Sequence, residues 1–360
     1  MAILWINLVV VYIFSLFSRY LVKHRTIYAG SGIPMFEKPN KIMVAFVIAV
    51  LVLVSGLRNN IGDTYTYIDI YKNTTFTWSY IVSKKDMGFG IFQMILKKFT
   101  EDPQMLIFIC ALITNLLIVL VLYKYTRLFE LSIYVYITSG MYVVSMNGIR
   151  QYLAAAIIFA ATKYIMDGNW KKYTLVILFA SLFHGTALIL IPMYFIVRRK
   201  AWTTTTFLIL SFAVLFAMGY SQLSGLFFSA IEDTQYAEYS KFSEGGANII
   251  RVFIYIIPIA LSYLGREKLR ELFPNSDYIV NMTILGAVFM VISTQNWIFA
   301  RFSIYFGLYN LIIISWIVQL FVRREQKLIY YSILVFYFLY CFYEQVISLG
   351  ILYRSNFIQL

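Results

Sequence analysis

Apolar runs of helical length recur along this chain, separated by short charged links. A membrane-crossing helix needs about 20 mostly apolar residues. Segments at roughly 3–22, 40–57, 104–123, 131–147, 149–166, 203–220, 249–265, 278–295, 299–322 and 328–347 meet that pattern, so ten spans are predicted. The run 87–99 is shorter and ends at Lys97 and Lys98, which predicts an interfacial helix. Two polar stretches, 58–86 and 221–248, interrupt the apolar pattern as sizeable loops. No repeat of fixed period and no low-complexity tract is visible. The pattern predicts one integral membrane domain over 1–360, an all-α polytopic helical bundle.

Composition agrees. Of the 360 residues, 61% are hydrophobic and 13% charged, and mean hydropathy is +0.75. A soluble domain carries about 45–50% apolar and about 25% charged residues, so this chain lacks the charge to cover itself against water. Its solvent is the lipid bilayer. Thirty Tyr and 31 Phe suit a protein with wide membrane interfaces, where Tyr and Trp anchor. Cys110 and Cys341 lie in separate apolar runs and predict no disulfide framework. The start is apolar from Ile3 but lacks a basic region and an Ala-x-Ala site, which predicts a retained first span over a cleaved signal.

Charge gives the orientation. Basic clusters close the spans at Lys23/Arg25/Lys38/Lys41, Lys124/Arg127, Lys163/Lys171/Lys172, Arg198/Arg199/Lys200, Arg266/Lys268/Arg270 and Arg323/Arg324/Lys327. By the positive-inside rule these mark the cytoplasmic side. Both polar loops then face outside. The stretch 173–197 breaks the alternation, because both its flanks are basic although it is one apolar run. A re-entrant hairpin turning at His184-Gly185 restores the pattern, and such backbone must be buried in protein or line a wet cavity. The alternative is one tilted helix with His184 as a bonded core side chain. With the hairpin, the inside holds 19 basic and seven acidic residues, and the outside 11 and ten. Nearly the whole formal +13 is therefore topological, and it points to no acidic partner or nucleic acid.

Five outer arginines remain: Arg58, Arg150, Arg251, Arg301 and Arg354, all at the ends of apolar helices. A guanidinium near the membrane is costly and commonly marks a pathway or ligand. Its planar fork binds phosphate oxygens in pairs and stays charged. A lipid-linked diphosphate suits several of them converging. Snorkelling to headgroups, or pairing with loop acids, is the simpler reading for any one. Arg150 is the best placed, in Asn147-Gly148-Ile149-Arg150-Gln151 at the start of an alanine-rich helix, where free N–H groups and the helix dipole favour an anion. The segment from Arg58 to Tyr71, with Asp63, Tyr65 and Tyr67, is dense in Tyr, Asn and Asp. That suits sugar rings and hydroxyls, or a solvated loop with Asp63 capping a helix. The 232–246 stretch, with Tyr236 and Tyr239, is a lid or a plain surface loop. His184 is the one histidine at membrane depth, and near neutral pH imidazole is the natural proton acceptor. No Walker loop, no metal-spaced His/Cys set and no Gly-x-Ser-x-Gly is present, so neither metal nor cofactor is expected.

Gly56-Leu57-Arg58, Gly62-Asp63-Thr64 with Tyr67, Asn147-Gly148-Ile149-Arg150-Gln151 and Phe183-His184-Gly185-Thr186-Ala187-Leu188 follow in that order. Together they resemble the EpsG family of bacterial exopolysaccharide proteins, which is related to the Wzy-type polysaccharide polymerases. The resemblance covers nearly the full chain. Many members read Gly-Thr-Asp-Tyr where this chain has Gly62-Asp63-Thr64-Tyr65, and Ser where it has Thr186. The resemblance implies a glycosyltransferase of the cell membrane, compatible with a GT-C-like arrangement, that builds exopolysaccharide, including biofilm matrix. It would join oligosaccharide units carried on undecaprenyl diphosphate at the outer face, alongside a flippase and a chain-length regulator. On that basis Arg150, Arg58, Arg301 and Arg251 are expected to hold the diphosphate, and Tyr65, Tyr67, Asn147 and Gln151 the sugars. His184 is expected to act as base, with Asp63 as its substitute. The competing function is a flippase or other transporter of the same lipid-linked oligosaccharide, and a ligase shares the polymerase's chemistry.

Overall fold

The computed structural model describes residues 1–22, 38–230 and 245–358. Lys23, Arg25, Glu37 and the lid residues Tyr236 and Tyr239 lie outside the described residues. The chain is an all-α polytopic membrane protein, and among the described residues the sole β-type pairing is a bridge between Arg58 and Ser355.

Among the described residues twenty α-helices follow in order: α1 (Ala2–Tyr20), α2 (Lys41–Gly56), α3 (Thr64–Asn73), α4 (Trp78–Val82), α5 (Met87–Lys97), α6 (Pro103–Tyr125), α7 (Phe129–Thr138), α8 (Met141–Asn147), α9 (Ile149–Ala160), α10 (Thr162–Met166), α11 (Trp170–Ser181), α12 (Leu190–Val197), α13 (Thr204–Met218), α14 (Tyr220–Ala230), α15 (Ile249–Leu264), α16 (Arg266–Leu272), α17 (Ser276–Ile292), α18 (Ile298–Gly307), α19 (Asn310–Ile317) and α20 (Arg323–Cys341). A 3-10 turn, Gly185–Ile189, precedes α12, and a π-helical turn, Phe342–Ser348, follows α20. Local chemistry sets several starts. Asn40 caps α2 through its side-chain oxygen, and Asp102 caps α6 with Pro103 in the first turn. Both moves satisfy N–H groups that a helix start leaves open.

All ten predicted spans are helical, yet among the described residues only Ala2–Tyr20, Pro103–Tyr125 and Arg323–Ser348 run unbroken at a length and apolarity that cross a membrane. Two pairs bent by 81° and 55° raise the number to five. The rest are short or interrupted for visible reasons. Gly140, at φ +86, separates α7 from α8. Apolar length alone does not register such breaks.

Every residue of α7 and α19 is buried, as is most of α9 and α17. These helices form the centre, and α1, α13, α15 and α20 leave large apolar side chains outward. That pattern suits lipid outside and protein inside. Polar side chains join the central helices, as where Asn115 bonds Ser55 of α2 and Tyr136 of α7. Such bonds are worth about 1 kcal/mol each between membrane helices.

Contacts sort the chain into two ends. At the basic end Arg19 pairs with Glu130 at 2.6 Å, Arg127 lies over Phe273, Arg270 donates to the Ala201 carbonyl, and Lys268 to that of Leu320. At the opposite end Gln104 donates to the Gly56 carbonyl, Gln151 to that of Arg301, and Asn60 to that of Leu352. The stretch 173–197 is a hairpin. Arg198, at its close, donates to the Ile165 and Met166 carbonyls just before its start, and Tyr173 meets Tyr194 with ring centroids 5.4 Å apart. The chain thus returns Arg198, Arg199 and Lys200 to the basic end and leaves His184 at the turn.

Candidate functional site

Four pieces of chain converge near the end opposite the basic clusters: the start of α9, the N-terminus of α5, the hairpin turn, and α18. Asn147-Gly148 breaks α8 from α9, so Arg150 starts a new helix with its side chain 38% exposed. Its Nη1 pairs with Asp86 Oδ2 at 2.7 Å, and its Nε donates to the Tyr67 hydroxyl at 3.2 Å. The rings of Tyr67 and Phe89 lie 5.9 Å from its guanidinium carbon. The cation is therefore oriented by side chains of two elements, α3 and the start of α5, while part of it stays open.

Asp86 holds the N-cap position of α5 without capping it. Its other oxygen accepts from the Gly185 amide at 3.1 Å, across the hairpin turn. The first turn of α5 instead donates outward: Gly88 N–H reaches the Leu182 carbonyl at 2.8 Å. Gly88 is required there, since a Cβ would come within 2.6 Å of Leu182. Burial pushes the Asp86 carboxyl up from its ordinary range, and Arg150 and the Gly185 amide pull it back.

His184 is buried at the turn. Its Nδ1 is shared with Thr186 Oγ1 at 2.7 Å and the Tyr305 hydroxyl at 3.0 Å, and those two oxygens meet at 3.0 Å. Such bonds fix which way an imidazole faces and which nitrogen carries the proton. Arg150 reaches the turn through Asp86, which accepts from the Gly185 amide next to this ring. Arg301, four residues before Tyr305 on α18, rests its guanidinium 4.9 Å from the Trp297 ring centroid, and its carbonyl accepts from buried Gln151 at 2.7 Å. Arg150, Gln151, His184, Arg301 and Tyr67 therefore belong to one cluster.

The other expected residues do not join it in the same way. Arg58 is placed differently. It is 2% exposed, and its guanidinium is directed at Thr64 Oγ1, the Ser55 carbonyl and the Met146 carbonyl. Its N–H groups tie α2 to α3 and α8. Arg251 pairs through Nε with buried Glu344 at 2.6 Å, beside the Asn248–Tyr343 bond, in a separate polar group. Asp63 is exposed at the N-cap position of α3 and its carboxylate makes no cap bond, while its amide donates to Asn147 Oδ1 at 2.9 Å. Asn147 thus spends its side-chain oxygen on the loop. Tyr65 points away at 74% exposure. Asp86 and Tyr305 were not singled out in the sequence. An Asp opening a short helix looks like an ordinary cap, and one Tyr among thirty carries no signal.

The model of the EpsG family matches residues 41–357. No curated protein and no solved structure matches the chain.

Proposed function

The chain belongs to the EpsG family, and from that premise we propose that it polymerises oligosaccharide units carried on a lipid diphosphate into exopolysaccharide. The observation that carries the reading is the cluster itself, at the end away from the basic clusters: Arg150 tied through Asp86 to the Gly185 amide beside His184, and Arg301 four residues before the Tyr305 that holds the His184 ring. The positive-inside rule turns the basic end to the cytoplasm. The cluster then faces the outer side of the cytoplasmic membrane, where lipid-linked units are exposed after translocation.

In the proposed step a sugar hydroxyl of the acceptor unit attacks the anomeric carbon of the donor. The new glycosidic C–O bond forms as the bond from that carbon to the diphosphate oxygen breaks. The lipid diphosphate leaves with the electron pair, and His184 takes the hydroxyl proton. Charge grows on the departing oxygens, so guanidinium groups already held in place stabilise the transition state more than the ground state. Arg150 is prepared for this by its partners, and Arg301 by its seat on Trp297. Thr186 and Tyr305 keep the imidazole turned. Tyr67 bonds the Arg150 guanidinium and Gln151 the Arg301 carbonyl, so both flank the two arginines. The diphosphate is already an activated leaving group, so the transfer needs no nucleotide.

The test is to remove the protein from its membrane and follow the lipid-linked units. Single units accumulating on the outer leaflet, together with loss of polymer in His184→Ala at unchanged membrane abundance, fit this reading. Accumulation on the inner leaflet would assign the chain to translocation instead.

A further inference from the structure

Asp86 is an acidic side chain that touches both halves of the cluster. It takes Arg150 on one carboxylate oxygen at 2.7 Å and the Gly185 amide on the other at 3.1 Å. Its side chain is 4% exposed, so neither bond competes with much water. The same short stretch adds a second tie, the Gly88 and Phe89 amides on the Leu182 carbonyl. The turn between Leu182 and Gly185 is thus fastened to the N-terminus of α5 by three amides, and His184 lies inside that turn. Phe183 packs on Phe92 of α5 beside it. The hairpin also packs directly on α9, through α11 and through the turn at its tip, and the Asp86 carboxylate adds a hydrogen-bonded tie between that tip and the Arg150 guanidinium.

We propose that Asp86 is a positioning residue for the transfer reaction, setting the separation of the Arg150 guanidinium and the His184 turn by holding one with each carboxylate oxygen. The inference rests on the function proposed above. It adds a role for a residue that touches neither donor nor acceptor. The carboxylate is suited to this because its two oxygens point apart at a fixed angle, so the two ligands move together. Without it, Arg150 keeps Tyr67 and the hairpin keeps the Leu182 tie, so both survive but lose the hydrogen-bonded tie between them. A displacement of about 1 Å between reacting groups costs on the order of 100-fold in rate.

Three variants separate the two bonds. Asp86→Ala removes both, Asp86→Asn keeps an oxygen for Gly185 while losing the charge that Arg150 pairs with, and Asp86→Glu keeps the carboxylate on a longer arm. Steady-state transfer is measured on purified protein with lipid-diphosphate-linked units, and amide hydrogen exchange is followed in the peptide spanning 182–189. Asp86→Ala is expected to lower kcat by about 100-fold with KM within about threefold, and to speed exchange in that peptide by about tenfold. Asp86→Asn is expected to lower kcat while leaving exchange near the wild-type rate, and Asp86→Glu to restore part of kcat. Unchanged kcat in Asp86→Ala overturns the proposal, as does a rise in KM alone, which would put Asp86 in substrate binding. Unchanged exchange in Asp86→Ala overturns it too, since the turn is then held by other bonds. If the wild-type protein makes no polymer but the exchange difference persists, the function reading fails and takes the positioning role with it, leaving the tie as a structural one.

Discussion

Arg58 follows the end of an apolar helix and Arg150 opens one, on the same side of the molecule and beside similar runs of Asn and Gly. Their surroundings differ in kind. Arg58 is sealed, and the partners that hold it are uncharged oxygens from α2, α3 and α8. Arg150 is partly open and is held by a carboxylate and a phenol. The first arrangement fastens helices. The second holds a cation at a surface where a new anion can approach. A guanidinium's position along a helix does not reveal its use; the charge and accessibility of its partners do.

Substitution at Arg58 breaks this comparison most sharply. Arg58→Ala strips donors from three buried acceptors, at about 1–3 kcal/mol for each one left unsatisfied. It is expected to cost roughly 3 kcal/mol or more in total. The signature is a large drop in melting temperature and membrane abundance, with normal transfer per folded molecule. Retained stability with lost transfer would return Arg58 to the ligand-binding set.

Arg150→Lys sharpens the other side. An ammonium keeps the charge but lacks the planar fork that serves Asp86, Tyr67 and a phosphate together. A rate loss on the order of tenfold, or about 1.4 kcal/mol, is expected with little change in stability. Equal loss from Arg150→Lys and Arg150→Ala would mean that geometry matters more than charge.

The loop joining the two neighbourhoods provides a smaller effect. Gly62 has φ +54, and a Cβ there would meet the Asn147 side chain at 2.0 Å. Gly62→Ala is expected to destabilise by about 1–2 kcal/mol from the left-handed backbone, plus the displacement of Asn147. Thermal unfolding of the purified protein measures it. The smallest effect belongs to Tyr65→Ala. At 74% exposure it makes little contribution to the fold, and substitutions at such exposed positions stay within about 0.5 kcal/mol. A change confined to KM would make Tyr65 a sugar contact after all.

The hairpin was legible in the sequence because both its flanks are basic, and charge fixes which side a loop occupies. The Asn147-Gly148 break and the cation behind it were legible for a similar reason, since a polar interruption in an apolar run must have partners. The breaks inside other predicted spans were not, because apolar length is blind to a Gly140 with positive φ or to a bend between α18 and α19. The site was legible in part. Arg150, His184 and Arg301 stood out as polar groups in apolar surroundings. Asp86 did not, because its two partners lie 64 and 99 residues further along the chain, and local pattern carries no information about such pairings. The direction of the Arg58 side chain was hidden for the same reason, as its Met146 contact spans 88 residues.

The central claim is that the Arg150 and His184 cluster performs glycosyl transfer from a lipid diphosphate. The most direct measurement is the length distribution of glycan made by purified protein in proteoliposomes supplied only with lipid-diphosphate-linked units. Wild-type protein should convert them to a ladder of polymers, while Arg150→Ala, incorporated at equal abundance, should leave single units. A ladder of normal length from Arg150→Ala would contradict the account.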